Sequence, residues 1–146
     1  MSNIPNKSQN LPESKRRGYS LDEIDAIYEL GRLHLSSGNI QAAEHIMQGL
    51  VSIVPDYAPA WLGLSYINGM NHNHDAALFA ARQAVRIEIS STEAQLFLIA
   101  CLLTVEDYNT AGTYLGEVGD RIDSGSVDNS YLIRFFKSQL VRYQNR

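Results

Sequence analysis

The chain has a single cysteine, Cys101, so no internal disulfide can staple it. Cys101 lies in the apolar string LFLIACLL, residues 96–103, and is expected to act as a small buried hydrophobe rather than a reactive thiol. No apolar run approaches the roughly 18 residues of a membrane span. The N-terminal MSNIPNKSQNLPESKRRGYS has no apolar stretch of the kind a secretory signal needs. A cytoplasmic location is therefore expected. Catalytic strings are missing too. There is no glycine-rich phosphate loop, no nucleophile elbow and no His-Glu-x-x-His; Ala43-Glu44-His45-Ile46-Met47 comes nearest. His72 and His74 flank one turn residue without a third ligand, which is too few for a metal. These absences predict no enzyme, no cofactor and no metal.

Charge of one sign is also scarce in places. The net charge is −4, but it is unevenly spread. Residues 1–18 carry +3, residues 129–146 carry +4, and the stretch 19–128 carries −11. An acidic body would repel nucleic-acid phosphates, so no nucleic-acid partner is expected. It suits a basic or amphipathic protein partner, and equally the plain solvation of a helical surface. The 146 residues are 45% apolar and 19% charged, a globular composition of single-domain size.

What the chain does have is a fixed period. Leu30, Leu64, Leu98 and Leu132 are each 34 residues apart, and Ala43, Ala77 and Ala111 keep the same step. A constant period of this length marks a helix-turn-helix unit stacked on its own copies. Residues 1–19, with Pro5 and Pro12 among polar residues, are expected to form a mobile polar tail. The remainder, 20–146, is expected to be one repeat domain. Ser20 followed by Glu23 forms a capping-box pattern that opens the first helix. The first repeat is expected over about 24–57, with helices near 21–36 and 40–54 and Pro55 as stop. The second spans about 58–91, with Pro59 in a first helical turn and Asn71-His72-Asn73 as its turn. The third spans about 92–125, opened by a second capping box at Ser90-Ser91-Thr92-Glu93. A last helix, about 128–144, is expected to cap the stack, with Arg134, Lys137, Arg142 and Gln144 on its polar face. Small residues mark the helix crossings: Gly31 opposite Ala43 and Ser65 opposite Ala77, with Ile99 replacing the small residue opposite Ala111. Ile27 and Leu30, like Trp61 and Leu64, are expected to fill the space within a unit. Leu50, Ala84 and Val118 are expected where one unit meets the next.

This pattern resembles the tetratricopeptide repeat. Trp61 and Leu64 look like its tryptophan and leucine, and Leu30-Gly31 like its leucine-glycine pair. Gly38-Asn39-Ile40-Gln41-Ala42-Ala43 looks like its turn and alanine, and Glu106-Asp107-Tyr108 leading to Ala111 repeats that turn. Ala84 and Pro55 match two further positions. His34, Asn68 and Leu102 depart from the usual tyrosine, and Gln95 from tryptophan. The resemblance implies an all-α right-handed solenoid of seven helices: three repeats and the capping helix. It implies a protein-binding module whose concave groove is lined by the first helix of each unit. The expected groove residues are Tyr28, Arg32 and Leu35, then Leu62, Tyr66 and Met70, then Leu96, Ala100 and Leu103. Asp25, Gly69 and Glu93 are expected along its rim and floor. Such an apolar strip requires a cover: either a bound partner or the chain's own tail or terminal helix. The family's clamp for chaperone C-terminal carboxylates is not expected, because Tyr28, Leu62 and Leu96 stand where its polar side chains would be and only Arg32 could meet a carboxylate.

A short, acidic, three-repeat chain with an apolar groove and a capping helix also resembles the chaperones of bacterial type III secretion. That resemblance implies masking an amphipathic segment of an exported translocator or needle subunit. The alternative is a general adaptor or assembly scaffold without an export role. Either way the partner is a protein or peptide with an apolar or amphipathic segment, and a homodimer or small heterocomplex is open to the chain.

Overall fold

The computed structural model describes residues 11–146. Seven α-helices run through them: α1 Leu21–Ser36, α2 Ile40–Ile53, α3 Ala58–Met70, α4 His74–Ile87, α5 Thr92–Thr104, α6 Tyr108–Asp123 and α7 Ser130–Gln144. The order of packing is that of a solenoid. Each helix packs against the one before it, and α1, α3, α5 and α7 also meet one another in sequence.

Local chemistry sets the boundaries. The Ser20 hydroxyl accepts from the Glu23 amide while the Glu23 carboxylate accepts from the Ser20 amide, which completes the box at α1. The opening of α5 differs from expectation. Its cap is Ser91, whose hydroxyl accepts from the Ala94 amide at 3.1 Å, and Ser90 lies outside the helix. Asp107 and Asn129 cap α6 and α7 in the same way. The turn within each unit needs one residue in the left-handed region. Gly38 fills it at φ 82° in the first unit, and His72 at 60° and Glu106 at 65° fill it in the next two. His72 thus has a backbone reason to be where it is, and its neighbour His74 meets it ring edge to ring face at 5.9 Å.

The repeat columns pack as their spacing requires, with one exception. Ala43, Ala77 and Ala111 are buried, as are Leu50, Ala84 and Val118. Leu64 and Leu98 are buried, but Leu30 is 49% exposed. In the later units this leucine packs into clusters shared with the preceding unit; no described unit precedes α1, and Leu30 stays half exposed. At the first crossing Gly31 faces Met47 and Ile46 rather than Ala43, and a Cβ there would lie 2.8 Å from the Met47 methyl. Gly63 of α3 approaches the same Met47 side chain from the other side. Ala43 is fully buried while Ala42 is half-buried. Ala43→Leu is therefore expected to lower stability by about 1–3 kcal/mol in urea denaturation, and Ala42→Leu by clearly less. Equal losses would show that the alanine column is not the crossing point.

Of the expected tail, residues 1–10 lie outside the described residues. Residues 11–19 are not free chain. Leu11 is 5% exposed and packs into the core of the first unit. Residues Glu13–Lys15 form one 3-10 turn, and Lys15 Nζ meets Asp56 Oδ2 at 2.6 Å. A leucine in a polar stretch was enough to anchor it.

Candidate functional site

The 34-residue period continues into α7, and this builds the site. Tyr66, Ala100 and Arg134 form one column, Met70, Thr104 and Ser138 a second, and Phe97 and Tyr131 part of a third. These residues line a groove of about 660 Å³ between α3, α5 and α7. Its floor is apolar and aromatic. Phe97 meets Phe135 edge-on at 5.5 Å, with Tyr131 beside them. Cys101 packs against the core of α5 and α6 and also lines the groove: it is half-buried, with Sγ 3.4 Å from Ser65 Oγ. Burial pushes its thiol above the ordinary range, with the Ser65 bond and Arg142 acting the other way, so it is not an activated thiolate.

The charged side chains in the groove lining are two arginines, with Glu93 held against Tyr131 at its edge. Arg134, Arg142 and His74 line it, and no carboxylate does. The Arg142 guanidinium donates to Gln139 Oε1 at 2.8 Å, to Thr104 Oγ1 at 3.1 Å and to the Ala100 carbonyl at 3.4 Å. All three acceptors are neutral. These groups can hold apolar side chains and an anion. Among the described residues no three His, Cys, Asp or Glu side chains gather where a metal could be held, and no helix is long and apolar enough to cross a membrane.

No family model matches the chain, and no curated protein matches it by sequence. Solved structures do match. PcrH from Pseudomonas aeruginosa is similar over 88% of this chain and 96% of its own, at 20% identity and a TM-score of 0.73. The Yersinia enterocolitica type III secretion translocator chaperone SycD covers 86% of this chain and 92% of its own, at 17% identity and a TM-score of 0.71. The tetratricopeptide-repeat domain of Sgt2 from Aspergillus fumigatus covers 84% and 80%, at 15% identity and a TM-score of 0.68. The fold is the tetratricopeptide-repeat solenoid. At these identities the likeness is one of fold.

In this repeat domain the residues expected in the groove divide sharply. Tyr66, Met70 and Ala100 line it, as does Gly69. Arg32 stands in the Tyr66 column on α1, outside the groove lining, and pairs with Glu29 at 3.2 Å. Tyr28, Leu62 and Leu96 are a core column, exposed by at most 4%, and Leu35 and Leu103 are buried as well. Asp25 is buried and accepts the Tyr57 hydroxyl at 2.7 Å. The reason is geometric. A column four residues back on a helix is turned by about 40°, and that turn carries it from the groove into the contact between neighbouring helices. The whole α7 wall was missed. It was read as a cap, although extending the Tyr66 and Met70 columns by one more period reaches Arg134 and Ser138. The terminal helix therefore does not fill the groove; it forms one side of it.

The tyrosines near this face make a pH test. Burial, with Glu93 adding to it, raises the Tyr131 phenol from 10.0 to about 12. Burial raises Tyr28 and Tyr57 further, and the Asp25 bond adds to it at Tyr57. A raised folded-state pKa gives stability that is full below the unfolded value and lost as pH climbs through the folded one. Stability is expected to be unaffected by these phenols up to about pH 9.5 and to fall from pH 10 towards 12. Urea midpoints across that range check it, and Tyr131→Phe should remove part of the fall.

Proposed function

We propose that this chain is a cytoplasmic, non-enzymatic chaperone of the type III secretion kind, which covers an apolar or amphipathic segment of a secretion substrate or apparatus subunit in the α3–α5–α7 groove. The observation that carries it is the open apolar groove on a fold shared, over nearly their full lengths, with SycD and PcrH. SycD has been solved with a peptide of the translocator YopD, and PcrH with the chaperone binding region of PopB. An exposed apolar strip is costly to leave uncovered, and an aggregation-prone partner supplies the cover. Tyrosine, phenylalanine and methionine adapt well to apolar peptide side chains. The groove lining belongs to the single repeat domain of residues 20–146.

The second reading is a general adaptor, and the likeness to the Sgt2 repeat domain favours it. Tagged chain expressed in its native cells, isolated and analysed by mass spectrometry, separates the two. A small secreted partner at fixed stoichiometry, which aggregates when the chain is removed, supports the chaperone. Several larger housekeeping partners that stay soluble without the chain support the adaptor.

A further inference from the structure

The groove places two cations on one wall, and no Asp or Glu is among its lining residues. Arg134 and Arg142 are two helical turns apart on α7, about 12 Å along the axis, and both line the groove. The ion pairs among the described residues are Lys15–Asp56 and Arg32–Glu29, and neither involves Arg134 or Arg142. Arg142 is already fixed in place by its three neutral acceptors on α5 and α7. A pre-ordered guanidinium with spare donors beside an apolar floor is built to receive a carboxylate, because it forms charge-assisted bonds with little ordering left to do. Of the acidic residues, Glu93 comes up to the Tyr131 edge of this lining, and none lies between Arg134 and Arg142 in it.

We propose that the groove selects an apolar segment bearing acidic side chains, with Arg134 and Arg142 receiving carboxylates about 12 Å apart. In an extended segment this spacing is about four residues. The proposal rests on the reading of the groove as the binding site. It names the partner by chemistry: leucine-, isoleucine- or phenylalanine-rich sequence interrupted by Asp or Glu, not a purely apolar or a basic one.

A displayed library of random 12-residue peptides, panned on the full chain, tests it. The expected winners combine aliphatic or aromatic residues with two acids. Binding of a synthesised winner should slow alkylation of Cys101, the chain's one cysteine, which lies in the groove. Arg134→Gln, which breaks no hydrogen bond to α5, should weaken that peptide about fivefold. Arg142→Gln should do the same, and each loss should shrink as salt rises. Changing the peptide's acids to amides should cost nothing further in the double variant. Acid-free winners, or acidic winners indifferent to both arginines, overturn the charge selection and leave the groove standing. Winners that leave Cys101 alkylation unchanged bind elsewhere and overturn the groove reading with it, as does a library that yields no winners.

Discussion

Deleting residues 127–146 is expected to lower the melting temperature by about 10 °C or more, or to send the chain into aggregates, with no partner present. Leu132, Phe135, Phe136 and Tyr143 pack half-buried against the cluster built by α5 and α6. Two glycines of α6 show how close the contact is. A Cβ at Gly112 would meet the Tyr143 hydroxyl at 2.8 Å, and one at Gly119 would meet the Phe136 ring at 3.3 Å. A fully buried side chain of this size contributes about 1.5–3 kcal/mol. Half of that, for four residues, is about 3–6 kcal/mol. Small domains have only about 5–15 kcal/mol in total, and each kcal/mol moves the melting point by several degrees. Calorimetry and light scattering on the truncated chain check this. A truncation that stays soluble and melts unchanged, yet no longer binds its partner, would make α7 a detachable arm instead of part of the stack.

How far the sequence revealed this molecule depends on which residues are asked. The helices were legible because alanine and leucine recur at one step, and a small residue at a helix crossing leaves little choice of register. Leu30 shows the limit of that logic. A repeat position keeps its residue type in the first unit even where, among the described residues, no preceding unit buries it. The groove was harder to see for a different reason. α3 and α5, APAWLGLSYINGM and TEAQLFLIACLLT, are apolar on almost every side, so hydropathy does not distinguish the face that meets another helix from the face that meets solvent. The Tyr28, Leu62 and Leu96 column and the Arg32, Tyr66 and Ala100 column differ by one turn and look alike in sequence. Only packing shows that the first is core. The polar face of α7 was read as a coat for the end of the stack; Arg134 and Arg142 turn out to edge the groove.

That one-turn difference sets up the second large effect. Leu62 and Met70 are both apolar residues on α3 and both were expected in the groove. Leu62 is 4% exposed, packed among Ala58, Ala84, Ala94 and Phe97. Met70 is 40% exposed at the end of the helix and lines the groove. Leu62→Asp places a carboxylate where no cation or donor waits for it. An uncompensated buried charge costs about 3–5 kcal/mol, and the lost leucine packing adds to it. This variant is expected to unfold, or to persist only at low pH where the carboxyl is protonated. Met70→Asp leaves its carboxylate in water, so circular dichroism and the urea midpoint should stay within about 1 kcal/mol of the parent. It should nevertheless weaken partner binding, because it removes a thioether from the groove and replaces it with a hydrated charge. Measured side by side, the pair separates core from groove. If Leu62→Asp folds normally while losing its partner, Leu62 faces the ligand and the column assigned to the core belongs to the binding surface.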